Sequence, residues 1–445
     1  MLELGRETDH YVAEVKRRNL GGPSWLQGLR RAGLDRFIEL GFPTNSWEEW
    51  KYTNIRPIPE IPFVQGPYDP SDLSDLSDLT FDDTNAFRLV FINGQLSREH
   101  SRVDILPNGV RVELLGSAIE STPDLVERHL GRHAAHTNHP FVALNTAFIE
   151  DGAFIHIPRG IVLESPIHLV FLSRPGEKPT ISHPRNLIIA EENCQATIVE
   201  SYTGDPGKYL TNSVTEVIAA ANAVVDHYKI QREAEEAFHV GTLQVMLSRS
   251  SNFSNTNVAL GASIARTDVN VHLDGEGAEA TLNGLSIGRG KQLIDNHTKI
   301  EHAMPHCPSH ELYKGIWDDE SEGVFNGRIH VHQDAQKTDA KQTNQHILLS
   351  KDATINTKPE LEIYADDVRC THGATIGQLS DDALFYLRAR GISLDEARSL
   401  LTYAFASDIL ERIKIEPLRD RLEEHLVALR GVAADVHEIR PESSG

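Results

Sequence analysis

Between Phe87 and about residue 375, runs of four to eight β-branched and aliphatic residues recur along the chain, each broken by Gly, Asn or Asp. Phe87–Leu96, Ala153–Ile157, Ile161–Leu163, Ile167–Phe171, Asn186–Ala190, Ala196–Glu200, Ser213–Ala219, Ala223–Ile230, Val258–Leu260, Asp268–Leu273 and Ala280–Leu282 are such runs. Short apolar runs between turn-forming residues read as strands, and a succession this long suits a sandwich, a barrel or a solenoid. A sandwich is complete at about 100 residues. A solenoid lengthens without enlarging its core, because each coil buries its inner residues against its neighbours. The pattern therefore favours a mainly β solenoid, although no strict repeat period is visible.

The flanks change texture. Residues 24–42 predict a helix, with Ser24 as its N-cap, Leu26, Leu29, Leu34, Phe37 and Ile38 as its apolar positions, and Gly41 and Pro43 ending it. From Glu60 to Asp83 there are seven acidic residues, no Lys or Arg, and three Ser-Asp-Leu copies over Ser71–Leu79, which reads as an acidic linker. Towards the C-terminus Ser393 and Glu396 form an S-x-x-E capping box before Leu394, Ala397, Leu401, Ala404 and Phe405. After Pro417, Leu418, Leu422, Leu426 and Leu429 make a second helical stripe, and the tail PESSG reads as disordered. This helical pair serves either as a cap on one end of the solenoid or as a docking surface. The expected division is 1–85 helical with an acidic linker, 86–377 solenoid, and 378–445 helical.

Composition narrows the functional classes. A net charge of −22 over 445 residues, with no sustained basic stripe, argues against nucleic acid as a partner. The first twenty residues are charged throughout and no apolar run approaches the roughly 18 residues of a membrane span, so a cytoplasmic protein with no membrane partner is expected. Phosphate-loop, nucleophile-elbow and H-E-x-x-H signatures are missing, so no nucleotide site is expected on this chain. Cys194, Cys307 and Cys370 are too far apart for a zinc ribbon or a self-contained cluster, which takes about four thiolates.

Two constellations could carry chemistry. Of the 22 histidines, seven lie between residues 297 and 346: His297, His302, His306, His310, His330, His332 and His346. The spacing of His302, His306 and His310 would align on a helix, but Pro305 and Pro308 oppose one. In Asp366-Asp367-Val368-Arg369-Cys370-Thr371-His372-Gly373-Ala374-Thr375, Cys370 and His372 sit at i and i+2, which on a strand places both on one face. A thiol and an imidazole so placed make a soft-metal or cluster pair, a nucleophile with its base, or a buried cysteine beside a packing histidine. Asp366 and Asp367 raise the alternative of a carbohydrate-active enzyme working with paired carboxylates, which a strand would point to opposite faces. A passive homodimeric adaptor is the other alternative.

Several stretches together resemble the SufB/SufD scaffold family of the SUF iron–sulfur cluster assembly system. They are Trp47–Thr53, Asp151–Pro158, Asp295–Thr298, Tyr313–Gly315, Val324–Gly327, Gln336–Ala340, Thr357–Val368, Cys370–Thr375 and Leu384–Ile392, in order over most of residues 45–430. Where the SufB branch has H-E-A-T-T-S, this chain has His372-Gly373-Ala374-Thr375-Ile376-Gly377, and it has no cysteine in Thr343–Leu349, where SufB carries one. The resemblance is therefore to the D branch. It implies a right-handed parallel β-helix core between helical N- and C-terminal domains. It also implies pairing with SufB through the β-helix end and docking of the SufC ATPase, which supplies the ATP hydrolysis, on the C-terminal helices. In the absence of SufB it allows a homodimer. A non-catalytic scaffold role follows, with a transient iron–sulfur cluster shared with SufB at His372, the favoured ligand, and with Cys370 as the second candidate.

Overall fold

The computed structural model describes residues 4–18, 20–70, 86–103 and 106–428. The Ser-Asp-Leu copies, Leu429 and the PESSG tail lie outside the described residues.

From Arg185 onward consecutive strands alternate between two sheets, and every pairing within the solenoid is parallel to the corresponding strand one coil away. His297 stands opposite Asp268 on one side and Asn326 on the other, so a coil spans about 29 residues. The result is a β-solenoid of about eight turns. Most strands in it are ten residues long, such as Ile264–Leu273, Leu293–His302 and Pro308–Trp317, and so exceed the apolar runs that announce them. The extra residues include polar ones on both faces, such as Arg266 against Trp50 and Thr267 beside Lys229, and they pair as well as the apolar ones because the ladder uses backbone groups alone.

Three local readings change. Phe87–Leu96 is two antiparallel strands, Phe87–Ile92 and Gln95–Arg102, joined by Asn93-Gly94 at φ 49° and 81°. Two residues of positive φ are what a two-residue hairpin requires. Ile161–Leu163 contributes only an isolated bridge from Val162 to Gln195. Ser24 is the first residue of the helix Ser24–Leu40 rather than its N-cap, a position that Pro23 fills without a side-chain hydrogen bond. The helices Leu115–Ser121, Pro123–His129 and Pro140–Ala147 precede the first regular coil.

The core has three main layers. Inside the solenoid run Ile155, Ile198, Val217, Val225, Val245, Val271, Leu282 and Phe325. On the outer face of the eleven-stranded sheet lie the N-terminal elements, with Tyr11, Phe37, Phe42, Trp50 and Phe141 against Leu210, Phe238 and Ile264. On the outer face of the ten-stranded sheet lie the C-terminal helices Leu394–Leu410 and Glu416–Ala428, which bury Ile409, Leu410, Leu418 and Leu422 against Tyr228, Ile230, Leu285 and Ile316. The predicted capping box is present, the Ser393 hydroxyl accepting from Glu396 N and the Glu396 carboxylate from Ser393 N. These helices cover a side of the solenoid and leave its C-terminal end uncovered by helix.

Candidate functional site

That end is formed by the last strand of each sheet, Thr354–Ile363 and Arg369–Gly377. Among the described residues no further strand pairs with either, so each presents an unused row of N–H and C=O groups. The space beside Gly373 and Gly377 is open. Ile376 is 50% exposed and Tyr364 61%, large apolar side chains on a rim that would otherwise be expected to be polar.

The register fixes what faces where. On the strand Asp339–Leu348, Ala340, Gln342, Asn344 and His346 are buried, and they stand opposite Cys370, His372, Ala374 and Ile376. Cys370 and His372 therefore share the inward face, as their spacing predicts. Their surroundings differ. Cys370 is half-buried against Ile329, Val331, Ala335 and Ala340, and burial pushes its thiol up from the ordinary value. His372, two residues on, is exposed. Cys194 and Cys307 are buried; burial raises the first thiol to about 11, and the second donates to Gly275 O at 3.3 Å. Among the described residues no three His, Cys, Asp or Glu side chains gather to hold a metal. His372 thus offers one donor of an incomplete set.

The seven histidines of the 297–346 region are dispersed. His302 ends a strand, buried beside the Ser309 hydroxyl at 3.0 Å; His306 lies in a turn at φ 60°; His310 is in the next strand. His346 is buried near Trp317, and burial lowers it to about 3. His330 and His332 pair with Glu362 at 2.7 Å and Glu301 at 2.8 Å. His297 lies between Asp295 at 3.0 Å and Glu49 at 3.5 Å. That contact belongs to a larger one, in which Trp47–Thr53 is pinned to the outer face of the eleven-stranded sheet. Glu49 meets Arg328 at 3.1 Å, the Arg266 guanidinium lies 3.7 Å from the centre of the Trp50 ring, and Glu48 reaches Lys358 on the terminal strand. Asp366 and Asp367 occupy a bend rather than a strand, and Asp367 pairs with Lys337.

Sequence reasoning missed a polar column inside the solenoid. Glu200 is buried with Tyr202, Thr215 and His227, and Glu233 with His239 at 2.7 Å. Lys229 is buried beside Thr267, and burial lowers it to about 8 despite the nearby Glu200 and Glu233. Towards the open end follow Glu311 and then Gln342, whose amide donates to Glu311 Oε2 at 2.7 Å. Burial pushes Glu311 up to about 7, with the Gln342 hydrogen bond pulling the other way. Glycines make the room: a Cβ on Gly241 would fall 2.3 Å from Lys229 Nζ, and one on Gly327 2.3 Å from Gln342 Nε2. The available signal was His227-x-Lys229-x-Gln231, polar residues at strand period within an apolar run.

Comparison with known proteins adds the following. Residues 8–169 match the SufBD protein N-terminal region, and residues 171–405 match the SufBD core domain of SUF-system FeS cluster assembly. An iron–sulfur cluster assembly SufBD family protein of Synechocystis is 35% identical over 90% of this chain and 90% of its own. Iron–sulfur cluster assembly protein SufD of Escherichia coli is 30% identical over 93% of each, and that of Bacillus subtilis 26% identical over 90% of this chain and 93% of its own.

Proposed function

The chain belongs to the SufBD family of SUF-system iron–sulfur cluster assembly proteins, and on that premise we propose that it is the D-type half of a two-chain scaffold on which nascent clusters are built. Its open end pairs with a SufB-type partner, and the cluster forms between them with His372 as this chain's ligand. The observation that carries the reading is the placement of His372, exposed on the inward face of an edge strand that has unused backbone groups and apolar neighbours.

A paired edge would extend each sheet across the two chains, as strand addition does elsewhere. It would also bring His372 to within reach of thiolates or carboxylates on the partner. Iron and sulfide are cargo in this scheme. One imidazole on this side, completed from the other, holds a cluster loosely enough to release it. Cys370 contributes less, because its half-buried thiol resists the ionisation that ligation needs.

The driving reaction, ATP hydrolysis, belongs to a SufC-type partner seated at the C-terminal helices. The helix Asp381–Arg388 buries none of its residues and leaves Phe385 74% and Tyr386 56% exposed, an apolar surface suited to such a partner. Placement in the cytoplasm is part of the same reading. No helix among the described residues is long and apolar enough to cross a membrane.

The test is His372→Ala in the intact complex. Co-purification with both partners is expected to persist while iron and acid-labile sulfide per complex fall to background. Wild-type cluster content in that variant would remove His372 from the site.

A further inference from the structure

The other deeply buried carboxylates lie beside a basic side chain: Glu200 has His227, Glu216 has Arg185, Glu233 has His239, and Asp268 and Asp295 share Arg266. Glu311, 3% exposed, is different: among the described residues no Lys, Arg or His pairs with it, and its hydrogen-bond partner is the amide of Gln342, with the Thr298 hydroxyl also close by. Only the NH2 end of an amide can donate to a carboxylate, so this bond fixes which way the Gln342 side chain lies. Its other end, Oε1, is buried and has no hydrogen-bond partner among the described residues. A buried acceptor left so costs about 1–3 kcal/mol, which calls for an explanation. Gln342 stands in register with His372 on the same inward face. Gly327 supplies the space the amide occupies. Asn344, the next inward residue, opposes Ala374, whose methyl group has no donor to give.

We propose that Gln342, anchored by Glu311, is a positioning residue for His372: its side-chain oxygen accepts one imidazole N–H and leaves the other ring nitrogen directed out of the open end as a lone-pair donor. This rests on His372 being the cluster ligand. Imidazole ligands ordinarily donate their second N–H to a carbonyl or carboxylate, which sets both tautomer and ring direction. Gln342, in register with His372, can do this for a histidine on an otherwise open edge, and Glu311 in its carboxylate form keeps the amide from flipping.

The test reads the His372 ring directly, in the full-length chain labelled with nitrogen-15 histidine, the signal being identified by its loss in His372→Ala. In the neutral ring, the wild type is expected to show one predominant tautomer, and Gln342→Met to move it towards the mixture of free imidazole. Glu311→Gln, which keeps the volume and removes the fixed acceptor, is expected to shift it part of the way, and thermal melting checks that both variants are folded. Identical His372 signals in wild type and folded Gln342→Met would overturn the proposal. In the complex, Gln342→Met is expected to lower cluster yield by roughly tenfold or more with assembly intact. Normal yield there, alongside loss in His372→Ala, would overturn the positioning role alone. Normal yield in His372→Ala would instead overturn the reading of His372, whatever the ring signals show.

Discussion

Gly275 follows the strand Ile264–Leu273 at a corner where one coil rests on the backbone of the last. A Cβ there would fall 2.0 Å from Arg249 N and 2.3 Å from Ser248 C. Main chain cannot rotate aside as the tip of a side chain can, so the two coils must separate. Gly275→Ala is expected to destabilise the protein by about 1–3 kcal/mol, measured by denaturant unfolding, whereas a substitution at Gly176, where a Cβ meets nothing, meets no such contact. The buried pair Arg185–Glu216, at 2.7 Å, illustrates the same economy. Glu216 also accepts from the backbone N–H groups of Gly131, His133 and Ala134, so a single carboxylate ties the Gly131–Ala134 loop to the sheet.

At the scale of elements, the Trp47–Thr53 segment is held by charges that titrate. The His297 hydrogen bond, against some burial, and then Arg328 hold Glu49 down at about 2. A carboxylate lowered on folding stabilises above its ordinary value near 4.5, and that contribution is lost as pH falls towards 2. Burial and Arg266 oppose the charged form of His297, but Asp295 and Glu49 outweigh them and raise it. A histidine raised on folding stabilises fully below about 6.5, and the contribution is lost as pH rises through its folded value. The segment should therefore be most firmly held between about pH 4.5 and 6.5. Hydrogen exchange of residues 47–53, corrected for intrinsic rates, is expected to be slowest in that window. A flat profile from acid to neutral pH would show that Trp50 packing over Arg266 alone holds the segment.

On the scale of the whole molecule, two sheets are covered on their outer faces by the chain's own termini, and their last strands are left with unpaired edges. Exposed apolar edge strands associate with other edges unless blocked by charge. Ile376→Lys places a cation on the rim beside the edge, and is expected to weaken association with a SufB-type partner about tenfold or more, read by sedimentation or titration calorimetry. Any self-association of the isolated chain should weaken in parallel. Unchanged binding to that partner would move the interface elsewhere on the molecule.

By itself the sequence determined the mainly β character of the body, the capping box at Ser393, the helix after Pro23, and the common face of Cys370 and His372. All of these rest on periodicity or on contacts a few residues long. The hairpin at Asn93-Gly94 was legible in the same local way and was read through. What only the tertiary structure decided is set by contacts one coil or more apart in the chain. The C-terminal helices lie along a side of the solenoid because Tyr228, Ile230 and Leu285 make an apolar outer face there, leaving the His372 end open. The polar column from Glu200 to Gln342 was hidden because a buried side chain inside a solenoid meets its partner about 29 residues away, a distance at which spacing along the chain says nothing of contact. That same separation sets Gln342 in register with His372, a juxtaposition made by stacking rather than by any local motif.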